Sequence, residues 1–147
     1  MGAGDQLTAA DKKGPMTSLH QWQTWSFAGG DEWTDWAPLQ AARKMIDRQR
    51  AGAYVLGVPQ RIELNRMLGC DPHGVLDVGE SGGLRRRITT LYRCVTDGTP
   101  GHKAGWRIAR FGLLAKLGVE PCDLRLSWCY APSADESYRI EGTLLHL

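Results

Sequence analysis

Hydrophobic and polar positions alternate along the chain in a succession of short periodic stretches. From Pro38 to Arg50 good helix formers dominate, with Leu39, Ala42 and Ile46 near one face and Arg43, Lys44, Arg48 and Arg50 mostly elsewhere. Gly52-Ala53-Tyr54-Val55-Leu56-Gly57 is a β-rich run ended by Gly57 and Pro59. Gly74-Val75-Leu76-Asp77-Val78-Gly79 is a second of the same kind, and the two read as paired strands. The eighteen residues between Leu56 and Val75 are too many for a tight hairpin. Pro59, Gly69 and Asp71-Pro72 mark a long connection there, with a helical turn expected around Ile62 to Leu68.

Beyond Gly82-Gly83, apolar residues recur at Leu84, Ile88, Leu91 and Val95, which is helical spacing. At about 100° per residue these four share a narrow arc and Arg86 and Arg93 point away from it. Arg87 lies at its edge, level with Cys94, half-way between core and solvent. A break at Asp97 to Gly101 leads into a second helical pattern through Trp106, Ala109, Leu113 and Leu117, closed by Gly118 as a C-cap. Asp123 to Tyr130 alternates through Leu124, Leu126 and Trp128 as a third strand, and Ile140, Leu144 and Leu147 mark a final helix from Asp135 onward. The predicted order is helix, strand, strand, helix, helix, strand, helix, with no internal repeat.

A length of 147 residues, 42% of them apolar, suits one ordinary core. The net charge of +2 is the remainder of 18 basic and 16 acidic residues, so overall electrostatics neither demand nor exclude a polyanionic partner. Cys70, Cys94, Cys122 and Cys129 form no C-x-x-C set, and the start of the chain lacks a secretory apolar stretch. Reduced thiols in a cytoplasmic protein are the expectation. No apolar run approaches the ~18 to 20 residues that span a bilayer, so no membrane segment is expected.

Residues 1–15 are small, polar and glycine-rich, and 1–18 are expected to form a flexible tail. Residues 19–51 make a Trp-rich extension and helix, and 52–147 the main domain. Trp22, Trp25, Trp33 and Trp36 crowd around Gly29-Gly30. Such rings can stack on unpaired bases or pin an extension to a small core. Packing is favoured, because Asp31, Glu32 and Asp35 would repel phosphates.

Gly52-Ala53-Tyr54, taken with Asp77-Val78-Gly79-Glu80-Ser81-Gly82-Gly83-Leu84-Arg85-Arg86-Arg87, resembles the GIY-YIG endonuclease pattern. The second half of that pattern reads Y-[VI]-G-x-[ST]-x-N-L-x-x-R, and Gly79, Ser81, Leu84 and Arg87 fall at its intervals. Glu141, in E-G-T-L-L, resembles the family's metal-binding glutamate. The resemblance implies an α+β fold, a small three-stranded antiparallel sheet flanked by helices. It also implies a metal-dependent endonuclease that hydrolyses phosphodiester bonds in DNA with magnesium or manganese. Tyr54 would deprotonate or orient the attacking water, Arg87 would steady the scissile phosphate, and Glu141 would hold the single metal.

Elementary chemistry agrees with that cast. Phosphodiester cleavage builds negative charge on phosphate oxygens, which a permanently cationic guanidinium meets with two parallel hydrogen bonds. A carboxylate suits magnesium, which takes few protein ligands and keeps several waters. His102, just before a predicted helix, is a candidate for proton transfer as well as for capping. Arg85, Arg86, Arg93, Lys103 and Arg107 are candidate phosphate contacts around Arg87. His20, His73 and His146 share no metal-ligand spacing.

Asp77 stands where the family pattern has its second tyrosine. A carboxylate there repels a phosphate where a phenol would donate a hydrogen bond. Asp77 is then a catalytic part of a variant site, as second metal ligand or base. Alternatively the chain is a degenerate module of that fold, binding nucleic acid or a protein partner without cutting.

Overall fold

A computed structural model describes residues 25–58, 64–66, 69–71 and 74–146. The expected tail, Trp22, His20, His73 and Leu147 lie outside the described residues. In chain order the elements are β1 (Ala37–Pro38), α1 (Leu39–Met45), β2 (Ala51–Gly57), β3 (Leu64–Arg66), β4 (Gly69–Asp71), β5 (Val75–Ser81), α2 (Leu84–Asp97), α3 (Lys103–Arg110), α4 (Leu113–Leu117), β6 (Arg125–Ala131) and α5 (Ala134–Leu145).

The fold is α+β, with helices around an antiparallel sheet of strand order β1-β6-β2-β5. Three long strands match the three expected runs. The fourth, β1, is a two-residue edge strand in which Ala37 and Pro38 face Leu126 and Arg125. Its brevity leaves no periodicity to detect, so the three-stranded expectation is corrected to four. A proline is tolerated there because an edge strand need not donate on both sides.

Both central strands are covered on two faces. Tyr54, Leu56, Leu126 and Trp128 pack with Leu39 of α1, with Ile46 just beyond that helix, and with Leu84, Ile88 and Leu91 of α2. On the opposite face Ala53, Val55, Cys129 and Ala131 pack with Ile140 and Leu144 of α5 and with Trp25, Ala28 and Trp33. Strand β6 is therefore buried almost throughout, where alternation through Leu124, Leu126 and Trp128 predicted one wet face. The tryptophans explain the difference. Trp25 and Trp33 are buried, and the amides of Asp31 and Thr34 donate to the carbonyls of Tyr130 and Trp128. Arg50 ties the same segment down, pairing with Asp31 at 2.9 Å and lying 4.0 Å over the Tyr130 ring.

Helix α2 follows its pattern closely: Leu84, Ile88, Leu91 and Val95 are buried, Arg86 and Arg93 exposed, and Arg87 half-buried. It stops at Gly98, whose φ of 68° is costly for any residue with a Cβ. Three helical expectations change. The Pro38 to Arg50 helix stops at Met45, with Ile46 extended at its end. The turn expected around Ile62 to Leu68 gives way, over its described residues 64–66, to strand β3, paired with β4. The pattern through Trp106, Ala109, Leu113 and Leu117 breaks at Gly112, where φ is 58°. The residues actually buried there are Gly105, Ile108 and Leu114. Gly105 permits this, since a Cβ there would meet Cys94 Cβ at 2.8 Å. Among the described residues no helix is long and apolar enough to cross a membrane.

Candidate active site

The cleft lies on the outer edge of β5, which pairs with no further strand among the described residues, and is lined from α2, the start of α3 and α5. Antiparallel register sets Tyr54 of β2 opposite Gly79 of β5. The tyrosine ring crosses that strand flat against the glycine, for a Cβ on Gly79 would fall 2.4 Å from the phenol oxygen. The ring thereby carries its hydroxyl beyond the sheet to Asp77, two residues along and on the same face. A register irregularity between Leu56 and Gly57, opposite Asp77 and Val75, bends the strand just there.

Tyr54 donates to Asp77 Oδ2 at 2.9 Å and lies 2.8 Å from His102 Nε2. The other nitrogen of the imidazole, Nδ1, caps α3 by accepting the Gly105 amide at 3.2 Å. With Nδ1 an acceptor, the neutral ring carries its proton on Nε2. The network therefore runs in one direction, from His102 N–H to the phenol oxygen and from the phenol O–H to the carboxylate. Burial, reinforced by the Arg87 charge, pushes His102 down to about 4, which keeps it neutral. Its two committed nitrogens leave it no free lone pair, so the imidazole holds Tyr54 in place rather than serving as a base.

Burial raises the Tyr54 phenol well above its usual range, and the charge and hydrogen bond of Asp77 raise it further. Burial also raises Asp77, against the Tyr54 hydrogen bond, a backbone hydrogen bond from Val78 and the Arg87 charge. Arg87 reaches the cleft from the edge of α2, and its buried Nε has no hydrogen-bond partner among the described residues. A buried guanidinium nitrogen left unmatched costs ~1 to 3 kcal/mol, which an anionic ligand would offset.

From the other face of the sheet come Glu80 and Glu141. Glu80 accepts from Ser137 of α5 at 2.8 Å. Glu141 is half-buried one turn further along that helix, and its pKa is raised by burial and then by the charges of Glu80 and Asp77, with Arg87 opposing. The cleft holds about 260 Å3 and is lined by Tyr54, Asp77, Glu80, Arg87, His102, Lys103, Arg107 and Glu141, with Val78, Gly79 and Ala104.

The four candidates Tyr54, Asp77, Arg87 and His102 thus converge with Glu141, Lys103 and Arg107. Arg86 lines an adjoining pocket that shares Arg87, whereas Arg85 and Arg93 line neither. Sequence reasoning missed Glu80, which occupies the unspecified position between Gly79 and Ser81 and carries no motif signal of its own. Its alternation with Gly79 on a strand that ends beside α5 is the only clue.

Among the described residues no three His, Cys, Asp or Glu side chains are placed to cage a metal ion. The donor set fits a cation held by Glu141, with Glu80 or Asp77 near, that keeps most of its own water. The raised pKa of Glu141 beside Glu80 and Asp77 points the same way, because a cation would relieve that repulsion. Compared with protein-family models, curated proteins and solved structures, the chain matches none of them.

Proposed function

We propose that the chain is a metal-dependent endonuclease hydrolysing phosphodiester bonds in DNA, with a GIY-YIG-type site. The observation that carries this is the convergence of Tyr54, Asp77, Arg87 and Glu141 on one polar cleft from three separate stretches of sequence. Magnesium or manganese, bound at Glu141, would supply Lewis acidity and a positioned water.

The chain's own residues do the remainder. Arg87 meets the phosphate oxygens, its unmatched Nε giving it a donor already in place for the developing charge. Lys103 and Arg107 flank it as further cations on the cleft wall. Tyr54 cannot abstract a proton while keeping its own. It takes one from water on the phenol oxygen as its O–H proton passes to Asp77, so that the pair acts as one base. Asp77 is ready for this because burial raises its proton affinity and the 2.9 Å hydrogen bond is already formed. His102 N–H steadies the phenol oxygen throughout.

Supercoiled plasmid incubated with the protein and magnesium or manganese tests the proposal. Nicked and linear product from wild type, reduced about 100-fold or more in Arg87→Ala, supports it. Absence of cleavage at any protein concentration, or equal rates for the two proteins, sinks it.

The second reading, a module of the same fold that binds nucleic acid or a protein partner without cutting, is favoured by one observation. The Asp77 carboxylate holds the Tyr54 proton and faces the same cleft as Glu80 and Glu141, three anions where a phosphate must enter. Asp77→Tyr separates the two. Gain of cleavage marks a degraded site, and loss of cleavage marks Asp77 as a working part.

A further inference from the structure

Arg87 separates two hollows of different electrostatic character, one of mixed charge and one basic. The cleft on one side carries Asp77, Glu80 and Glu141. On the other side is a pocket of about 380 Å3 lined by Ser81, Gly83, Arg86, Arg87, Thr90 and Gly101, in which no carboxylate of the described residues takes part. Two guanidinium groups and a serine hydroxyl, with no acid among the described lining residues, suit an anion.

Local hydrogen bonds decide which donors that pocket keeps free. Ser81 Oγ accepts the Gly83 amide at 3.0 Å, which leaves its own hydroxyl proton without an acceptor among the described residues. Thr90 donates back to the Arg86 carbonyl at 3.0 Å, which fixes its methyl group beside Gly101, where a Cβ would lie 3.1 Å from it. Arg86 is exposed and makes no ion pair among the described residues. The pocket also sits at the N-terminal end of α2, where the helix dipole favours negative charge.

From these observations we infer that the Ser81–Arg86–Thr90 pocket binds a second phosphate of the same strand, the phosphodiester next to the one held in the cleft. This rests on the nuclease assignment above. Arg87 stands between two neighbouring phosphates, and Arg86 grips the one that is not cut. The mixed-charge cleft and the basic pocket then divide the work, chemistry on one side of Arg87 and strand positioning on the other.

Metal-free binding tests it without any cleavage. Full-length protein labelled with 15N is titrated with the thymidine dinucleotide, which has one phosphodiester, and with the trinucleotide, which has two. Wild type binds the trinucleotide about 3- to 10-fold tighter, with amide shifts at Ser81, Gly83 and Thr90. In Arg86→Ala that preference and those shifts disappear, and Arg86→Lys restores part of both. On longer single strands Arg86→Ala lowers the salt slope by about 0.7.

A trinucleotide preference unchanged in Arg86→Ala overturns the inference while leaving the nuclease assignment intact. Failure of both nucleotides to bind overturns that assignment and the strand position with it. Inorganic phosphate then judges the pocket alone, and absence of shifts at Ser81, Gly83 and Thr90 removes the anion site too.

Discussion

The Tyr54 ring occupies the space that a side chain on Gly79 would fill. The two residues are partners across β2 and β5, and a Cβ on Gly79 would stand 2.4 Å from the phenol oxygen and 2.5 Å from the ring carbon that bears it. Gly79→Ala therefore forces the ring off the strand and breaks the contacts to Asp77 and His102 together. A stability loss of ~1 to 3 kcal/mol in urea unfolding is expected. Any plasmid nicking should vanish with it. A variant as stable and active as wild type would show that the ring has another place to go.

Removing only the phenol oxygen gives a subtler result. Tyr54→Phe keeps the packing but strands His102 N–H and takes from Asp77 the hydrogen bond that holds its pKa down. About 1 to 2 kcal/mol of stability should be lost. The Asp77 carboxyl, followed by carbon-13 NMR, should titrate at a higher pH than in wild type. A shift to lower pH would contradict the assigned direction of the network.

His102 makes stability depend on pH with a definite sign. Its folded pKa of about 4 lies below the ordinary 6.5, so between these values the unfolded chain binds more protons than the folded one. The contribution is complete above pH 6.5 and is lost as pH falls towards 4. Asp77 and Glu141, with raised values, act in the opposite sense but are common to both proteins in a comparison. The stability advantage of wild type over His102→Gln should therefore shrink on acidification through this window, by up to ~3 kcal/mol. An advantage independent of pH would mean that His102 is not neutral by burial.

Glu141→Gln separates metal use from folding. Loss of an anion that Glu80 and Asp77 repel should leave thermal stability unchanged or slightly raised in metal-free buffer. Nicking should then need at least about tenfold more magnesium or manganese. Unchanged metal dependence would remove Glu141 from the metal site.

Trp33 is 1% exposed, so Trp33→Ala should cost ~3 to 5 kcal/mol in chemical denaturation. Near-neutrality would mean that the segment before α1 is an appendage rather than part of the core on that face of the sheet.

Much of the architecture was legible because it rests on local periodicity. The arc of Leu84, Ile88, Leu91 and Val95 placed Arg87 at the boundary between core and solvent, where it lies, and the runs around Tyr54 and Gly79 paired as expected. Features set by distant partners were not legible. Strand β1 exists only because β6 offers it an edge, and β6 loses its alternation because tryptophans a hundred residues earlier cover it. Within the site, motif spacing singled out Tyr54 and Asp77 separately. Only the register, which brings residue 54 opposite residue 79, makes them a hydrogen-bonded pair.

The position of β5 has one more consequence. A sheet with an open side offers its unpaired amides and carbonyls to any passing strand, and among the described residues the long open side of this sheet is β5. Asp77 and Glu80 lie on it, half-buried and negatively charged, and a second β5 laid alongside would have to bring the same charges together. The carboxylates of the cleft thus also discourage the chain from sticking to copies of itself, and variants that neutralise them trade away protection against aggregation.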